Sequence, residues 1–143
     1  MKTLMPKQLL GSDRKWFVVD AAGKTLGRIA SVIAPIIKGK NKVDYAPHVD
    51  NGDYVIVLNA GAVTVTGDKE EQKLYRTHSQ YMGGLKEVPL ARMRAKKPTE
   101  VLRHAVSGML PKNKLRQGMI LRLKLELGSD HGYEAQKPEL LSI

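Results

Sequence analysis

Apolar positions along this chain follow two periods. Trp16, Phe17, Val18 and Val19 form a short run closed by Asp20. Tyr54-Val-Ile-Val-Leu58 forms a second behind the turn Asp50-Asn-Gly-Asp53. Short apolar runs bounded by turn residues read as buried strands. Between them Leu26, Ile29, Ala30, Ile33 and Ile37 recur at helical spacing up to Gly39, with Thr25 placed to cap the first turn. Pro35 lies inside that helix, where it removes a backbone bond and is expected to bend the last turn. Strand, helix, strand is a crossover unit, which predicts a parallel sheet covered by helices.

Further along, Val63-Thr-Val-Thr66 alternates like a more exposed strand and stops at Gly67-Asp68. Lys73 to Leu90, rich in glycine, tyrosine and histidine, shows no period and is expected to be irregular. A second helix begins at Pro98, with Glu100 at its positive end. Its apolar stripe is Val101, Leu102, Ala105, Val106 and Met109, and Pro111 stops it. Leu121, Leu123, Leu125 and Leu127 alternate with Arg122, Lys124 and Glu126, as a half-buried strand does. With no repeat, linker or low-complexity stretch, residues 1–143 read as one domain. Residues 1–15 read as an extended N-terminal segment and residues 129–143 as an acidic C-terminal tail.

Composition narrows the function. At 143 residues and 42% hydrophobic the chain can build one core, and with only 5% aromatics Leu, Val, Ile and Ala must pack it. The absence of cysteine excludes disulfides and thiolate metal sites. No stretch approaches the roughly 20 apolar residues that cross a bilayer, and Met1 to Leu10 lacks the apolar run of a signal peptide. The expectation is a cytoplasmic protein with no membrane partner. The net charge of +10 points to a polyanionic one. That charge is concentrated: Lys86 to Lys124 holds eleven basic and two acidic side chains, a net of +9, whereas Glu126 to Ile143 nets −3.

Catalytic chemistry finds little support. Gly23-Lys24-Thr25, between a strand and a helix, has the context of a phosphate-binding loop. That loop needs a glycine five positions earlier, and Val18 stands there. The second strand ends in Asn59, not in a magnesium-binding aspartate. The weaker use that survives is one phosphate held at the helix N-terminus beside Lys24 and Arg28. His48, His78, His104 and His131 show no ligand spacing, and Ser31, Ser79 and Ser107 lack a nucleophile elbow. No catalytic residue, metal, cofactor or small-molecule substrate is expected.

Binding chemistry is better represented. Tyr75, Arg76, His78 and Tyr81 offer flat or cationic surfaces, with Gly83 and Gly84 letting a partner come close to the backbone. RNA recognition stacks unpaired bases on such groups. Arg92, Arg94, Lys96 and Lys97 have no acid among residues 88–99, so they repel one another unless an anion lies against them. Lys112, Lys114 and Arg116 form a second cluster, and Lys38, Lys40 and Lys42 a basic loop after the first helix. Such cations give affinity and position more than sequence choice.

Several long pieces resemble a known family, the universal large-subunit ribosomal protein called L-thirteen, of bacterial type. They are D-A-A-G-K-T-L-G-R-I-A-S from Asp20, Y-A-P-H-V-D-N-G-D-Y-V-I-V-L-N-A from Tyr45, and V-T-G-D-K from Val65. H-S-Q-Y-M-G-G-L-K-E from His78, A-V-S-G-M-L-P-K-N from Ala105, and L-K-L-E-L-G and A-Q-K-P-E near the C-terminus complete them. The resemblance implies an α/β fold, a three-layer α/β/α sandwich around a mostly parallel sheet. It also implies binding to large-subunit (23S-type) ribosomal RNA, early entry into subunit assembly, neighbouring ribosomal proteins, and no enzymatic activity. Lys69 and Asn113, inside matching pieces, join the candidate RNA contacts. Ser107 stands where a lysine is usual in the family, and Lys114-Leu-Arg-Gln-Gly where Pro-Leu-Gly-Arg is. A free regulatory RNA binder and a nucleotide-dependent enzyme are the competing readings, which co-sedimentation with large subunits separates from the first.

The missing loop glycine generates a prediction. With magnesium and ATP or GTP, the protein should show no turnover; hydrolysis abolished by Lys24→Ala would overturn the binding-protein reading.

Overall fold

In the computed structural model, which describes residues 5–9 and 11–141, both apolar runs are strands. β1 (Trp16–Asp20) and β2 (Tyr54–Leu58) pair in parallel, Trp16 opposite Tyr54 through to Asp20 opposite Leu58. The crossover helix α1 (Leu26–Lys38) buries Leu26, Ile29, Ala30, Ile33, Ala34, Ile36 and Ile37. It continues past Pro35 for three more helical residues. A proline inside a helix costs about 3 kcal/mol, and burying Ile36 and Ile37 returns roughly 1.5–3 kcal/mol each, so packing wins. Gly39, at φ +81°, then closes the helix: its N–H donates to the Ile36 carbonyl and that of Lys40 to the Pro35 carbonyl.

Thr25 occupies the cap position with extended backbone, but its side chain caps nothing, and its Oγ1 is buried without a partner. The capping acceptor comes from elsewhere. Leu26 N–H donates to the Thr64 carbonyl at 2.9 Å, and Thr64 N–H to the Lys24 carbonyl at 2.9 Å. Val63-Thr-Val-Thr66 is therefore no sheet strand. Its backbone groups bind the entrance of α1 through one parallel bridge between Thr25 and Thr64, and Val63 points into the core.

The region from Lys73 to Leu90 is ordered into a hairpin, not irregular. α2 (Lys69–Gln72) leads into β3 (Leu74–His78), which pairs antiparallel with β4 (Leu85–Pro89), Tyr75 opposite Val88 and His78 opposite Leu85. Most side chains on both strands are exposed, so no apolar face marked the period. α3 (Leu90–Lys96) and α4 (Pro98–Met109) follow, Pro98 sitting at the first position of α4. Met109 is not part of the buried stripe: it is 47% exposed, while Val101, Leu102 and Val106 are buried.

The expected Leu121–Leu127 strand shrinks to β5 (Leu123–Leu125), parallel to β2. Leu121 ends a helix, α5 (Arg116–Leu121), anchored by buried Met119, and is 71% exposed. The tail docks on the protein itself. β6 (Glu139–Leu140) pairs in parallel with β1, giving the sheet order β5-β2-β1-β6. The parallel sheet and α/β class are as expected. α1, α3, α4 and α5 share one core with Val19, Val55, Val57 and Leu123. On the opposite face Val18 and Ile56 are buried. There Trp16 stacks on Tyr54, centroids 4.1 Å apart, and Tyr133 of the tail lies against Trp16 just before a single 3-10 turn, Glu134–Gln136.

A buried polar network fixes the loop before β2. The Arg122 guanidinium, 5% exposed, grips both oxygens of Asp50 and donates to the Ile37 carbonyl at 3.0 Å. Arg14 donates to the carbonyls of Gly52, Asp50 and Leu9. Asp53 accepts from Lys15 N–H at 3.0 Å and from Lys42 Nζ at 2.5 Å. Gly52 is obligatory here, since a Cβ would meet the Ile37 carbonyl oxygen at 1.6 Å.

Removing Arg122 leaves the Asp50 carboxylate with Arg14 alone, 3.6 Å away, takes a donor from the Ile37 carbonyl and empties a buried site. Arg122→Ala should lower stability by about 3–5 kcal/mol in urea unfolding. A loss under about 1 kcal/mol would place the pair among exposed ones.

Candidate nucleic-acid interface

The basic run before α4 is a helix lying across another helix. α3 buries Leu90, packs half-buried Met93 on the core, and leaves Arg92 and Lys96 exposed, with Lys97 exposed at its end. Together with Val88, Glu100 and His104 these three cations line a shallow cleft of about 260 Å³. Glu100 is turned to Arg103 at 3.4 Å, one helical turn away. Arg92, Lys96 and Lys97 have no acidic partner among the described residues. Three like charges on one rigid patch repel one another, and an anion seated among them relieves that.

Arg94 differs from its neighbours. Its guanidinium reaches Glu70 of α2 and donates to the Val63 carbonyl at 2.7 Å. It ties α3 to the segment that caps α1 and is largely occupied inside the fold. Lys42 is likewise committed to Asp53 and to the Asn51 carbonyl. Arg116 donates to the Ser107 hydroxyl. A lysine at 107 would face Arg116 with like charge. Lys112, Asn113 and Lys114 are exposed between α4 and α5.

The helix entrance keeps part of its predicted character. Lys24 is half-buried and Arg28 exposed, but Gly23 N–H donates to the Ala62 carbonyl and Leu26 N–H to that of Thr64. Two of the amides that a phosphate loop would offer are taken. Asp20 closes the same turn: it accepts from Asn59 Nδ2 at 2.9 Å and from Ala22 N–H at 3.0 Å. These bonds, the Asn59 one foremost, hold its carboxyl below the ordinary aspartate value. At the other end of α1, Lys38 lies over the Tyr45 ring at 5.2 Å, and Lys40 is exposed. Lys69, exposed, reaches the Thr66 hydroxyl at 3.3 Å.

The hairpin splits its candidates between base and tip. Tyr75 packs back on α4, its ring 5.4 Å from that of His104 and beneath Lys73 Nζ; burial pushes its hydroxyl up from the usual tyrosine value. Arg76 pairs with Glu87 across the strands at 2.6 Å. At the tip His78 Nδ1 accepts from Gln80 N–H, and Tyr81, 79% exposed, projects beside fully exposed Met82. Gly83 takes φ +71°. Gly84 serves the turn more than a partner: a Cβ there would meet Ser79 Oγ at 2.1 Å, and Ser79 N–H donates to the Gly84 carbonyl.

Sequence reasoning counted Arg122 with the positive field and passed over Arg14, Asp50, Asn51 and Asp53. Two aspartates flanking Asn-Gly ahead of a buried strand were the available signal for buried charge pairing.

The family described as Ribosomal protein L13 matches residues 14–132 of the chain. A protein of Clostridioides difficile (strain 630) named large ribosomal subunit protein uL13 is 54% identical over 131 residues, covering 92% of each chain. One of the same name from Thermoanaerobacter sp. (strain X514) is 57% identical over 130 residues, 91% of each chain. Another, from Agathobacter rectalis, is 53% identical over 143 residues and covers the whole of both.

The division among the cations is open to measurement without any ligand. Arg94→Gln should destabilise the fold by about 1–2 kcal/mol, since bonds from a charged group to internal acceptors are removed. Lys96→Gln and Lys97→Gln should each change stability by less than about 0.5 kcal/mol. Equal effects would show that Arg94 faces solvent like the others.

Proposed function

This chain belongs to the ribosomal protein L13 family, and from that premise we propose that it binds large-subunit ribosomal RNA and supports early assembly of the subunit. The family is structural, and the chain is not an enzyme. It is a constituent of the large ribosomal subunit and works in the cytoplasm on the ribosome. Neighbouring ribosomal proteins are its other partners. Residues 1–143 act as one ribosomal-protein domain, a reading supported by the single core that draws on all the major helices.

The observation that carries the RNA reading is the cluster of Arg92, Lys96 and Lys97, held on packed helices with no acidic partner among the described residues. Rigid presentation lowers the ordering cost of each phosphate interaction. Lys112, Asn113 and Lys114 extend the same polarity past α4, and Lys24, Arg28, Lys40 and Lys69 surround α1. Tyr81 and His78 at the hairpin tip, with Tyr75 and Arg76 behind them, supply stacking surfaces for unpaired bases. Lys42, Arg94 and Arg116, each engaged within the fold, act by holding these surfaces in place, while Lys38, beside Tyr45, joins Lys40 at the end of α1. Gly83 and Gly84 shape the tip.

Replacing Arg92, Lys96 and Lys97 together by glutamine should leave the fold intact and weaken binding to large-subunit RNA. The slope of log affinity against log salt should flatten by up to about 0.9 for each duplex phosphate that is no longer neutralised. Co-sedimentation with large subunits at moderate salt should fall in parallel. An unchanged slope would move the main RNA-binding surface elsewhere, the Tyr75–Gly84 hairpin first.

A further inference from the structure

We propose that the groove between α1 and α4 receives a short unstacked stretch of RNA, with Met109 as the apolar contact at its middle. This deepens the ribosomal-RNA reading and rests on it. Two hollows open along one side of α1. The larger, about 510 Å³, lies at the first turn and is walled by Gly27, Thr66, Lys69, Lys73 and Met109. The smaller, about 240 Å³, lies at the last turns between Ser31, Pro35, Lys38, Lys40 and Met109. Met109 borders both, so the two adjoin. Gly27, Ser31, Pro35 and Lys38 follow at helical spacing, which puts them on one face. Thirteen residues of helix make that face roughly 20 Å long.

Charge selects the occupant. Neither hollow has a carboxylate in its lining, and each carries two lysines, Lys69 and Lys73 at one end and Lys38 and Lys40 at the other. Glu70, on the same helix as Lys69, is turned to Arg94. Between the two cationic ends sits an apolar side chain that its own helix period would bury, yet Met109 stays 47% exposed. Phosphates alternating with flat bases match cations at the ends and a polarizable thioether between them. Small residues on the α1 face let a backbone approach closely. An acidic peptide would satisfy the lysines and leave Met109 without a flat surface to cover it.

The test places the photo-crosslinker p-benzoylphenylalanine at position 109 of the full chain, in large subunits assembled in cells. Irradiation should join the protein to ribosomal RNA within a few contiguous nucleotides. A protein adduct, scattered RNA adducts or no adduct overturns the groove. In parallel, Ser31→Glu and Met109→Glu should each weaken binding to deproteinised large-subunit RNA at least about fivefold with an unchanged unfolding midpoint, and Met109→Leu should bind like wild type. If wild type does not bind that RNA, the ribosomal-RNA reading itself falls. If wild type binds and both glutamate variants match it, only the groove falls.

Discussion

Arg122 is a charge taken out of water, and much of the architecture follows from satisfying it. It sits between α5 and β5, grips the Asp50 carboxylate and reaches the Ile37 carbonyl at the end of α1. Desolvating a guanidinium is costly unless partner and acceptors are complete. Here both Nη atoms are bonded and only Nε lacks a partner, and those bonds pin the loop before β2 against the exit of α1. With that loop held, Tyr54 N–H meets the Lys15 carbonyl and Val55 N–H the Arg122 carbonyl, which sets β2 in register between β1 and β5. The same loop leaves no room for a side chain at Gly52, where Ile37 approaches. One buried ion pair thus aligns a helix end with three strands.

The elements most legible in the sequence were those whose own side chains fill the core. β1, β2, α1 and α4 bury continuous runs or clear stripes, so period alone located them. The hairpin β3–β4 was hidden because its residues are mostly exposed on both sides, and its pairing rests on backbone bonds and turn geometry at Ser79–Gly84. Leu121 to Leu127 misled in the opposite sense: a perfect alternation was cut by a helix, because burying Met119 and Arg122 outweighs placing Leu121 and Leu127 in a strand. Val63–Thr66 alternates too, but its partner is a helix entrance no local pattern announces.

For the candidate interface, position along the chain told which segment is basic but not which cations are available. Arg92, Arg94, Lys96 and Lys97 look alike in sequence. Glu70, some distance earlier, is what removes Arg94 from the set. Lys42 is taken up by Asp53 in the same way, across a loop. Like-charge repulsion within a run argues for an anion nearby, and for Arg94 that anion proved to belong to the protein itself. Long-range pairing of this kind needs the fold before it can be read.

The strand β6 pairs with Phe17 and Val18 on the outer edge of β1, and it comes much later in the sequence. Parallel neighbours separated by nearly the whole sequence meet slowly, after the loops between them have been ordered. As the chain emerges from a ribosome, β1 is made early and β6 is the last described strand to appear. Until then one side of β1 presents unpaired backbone groups, the kind of edge that recruits strands from other molecules. A nascent chain of this protein therefore passes through a sticky interval that ends once Glu139 and Leu140 have been made.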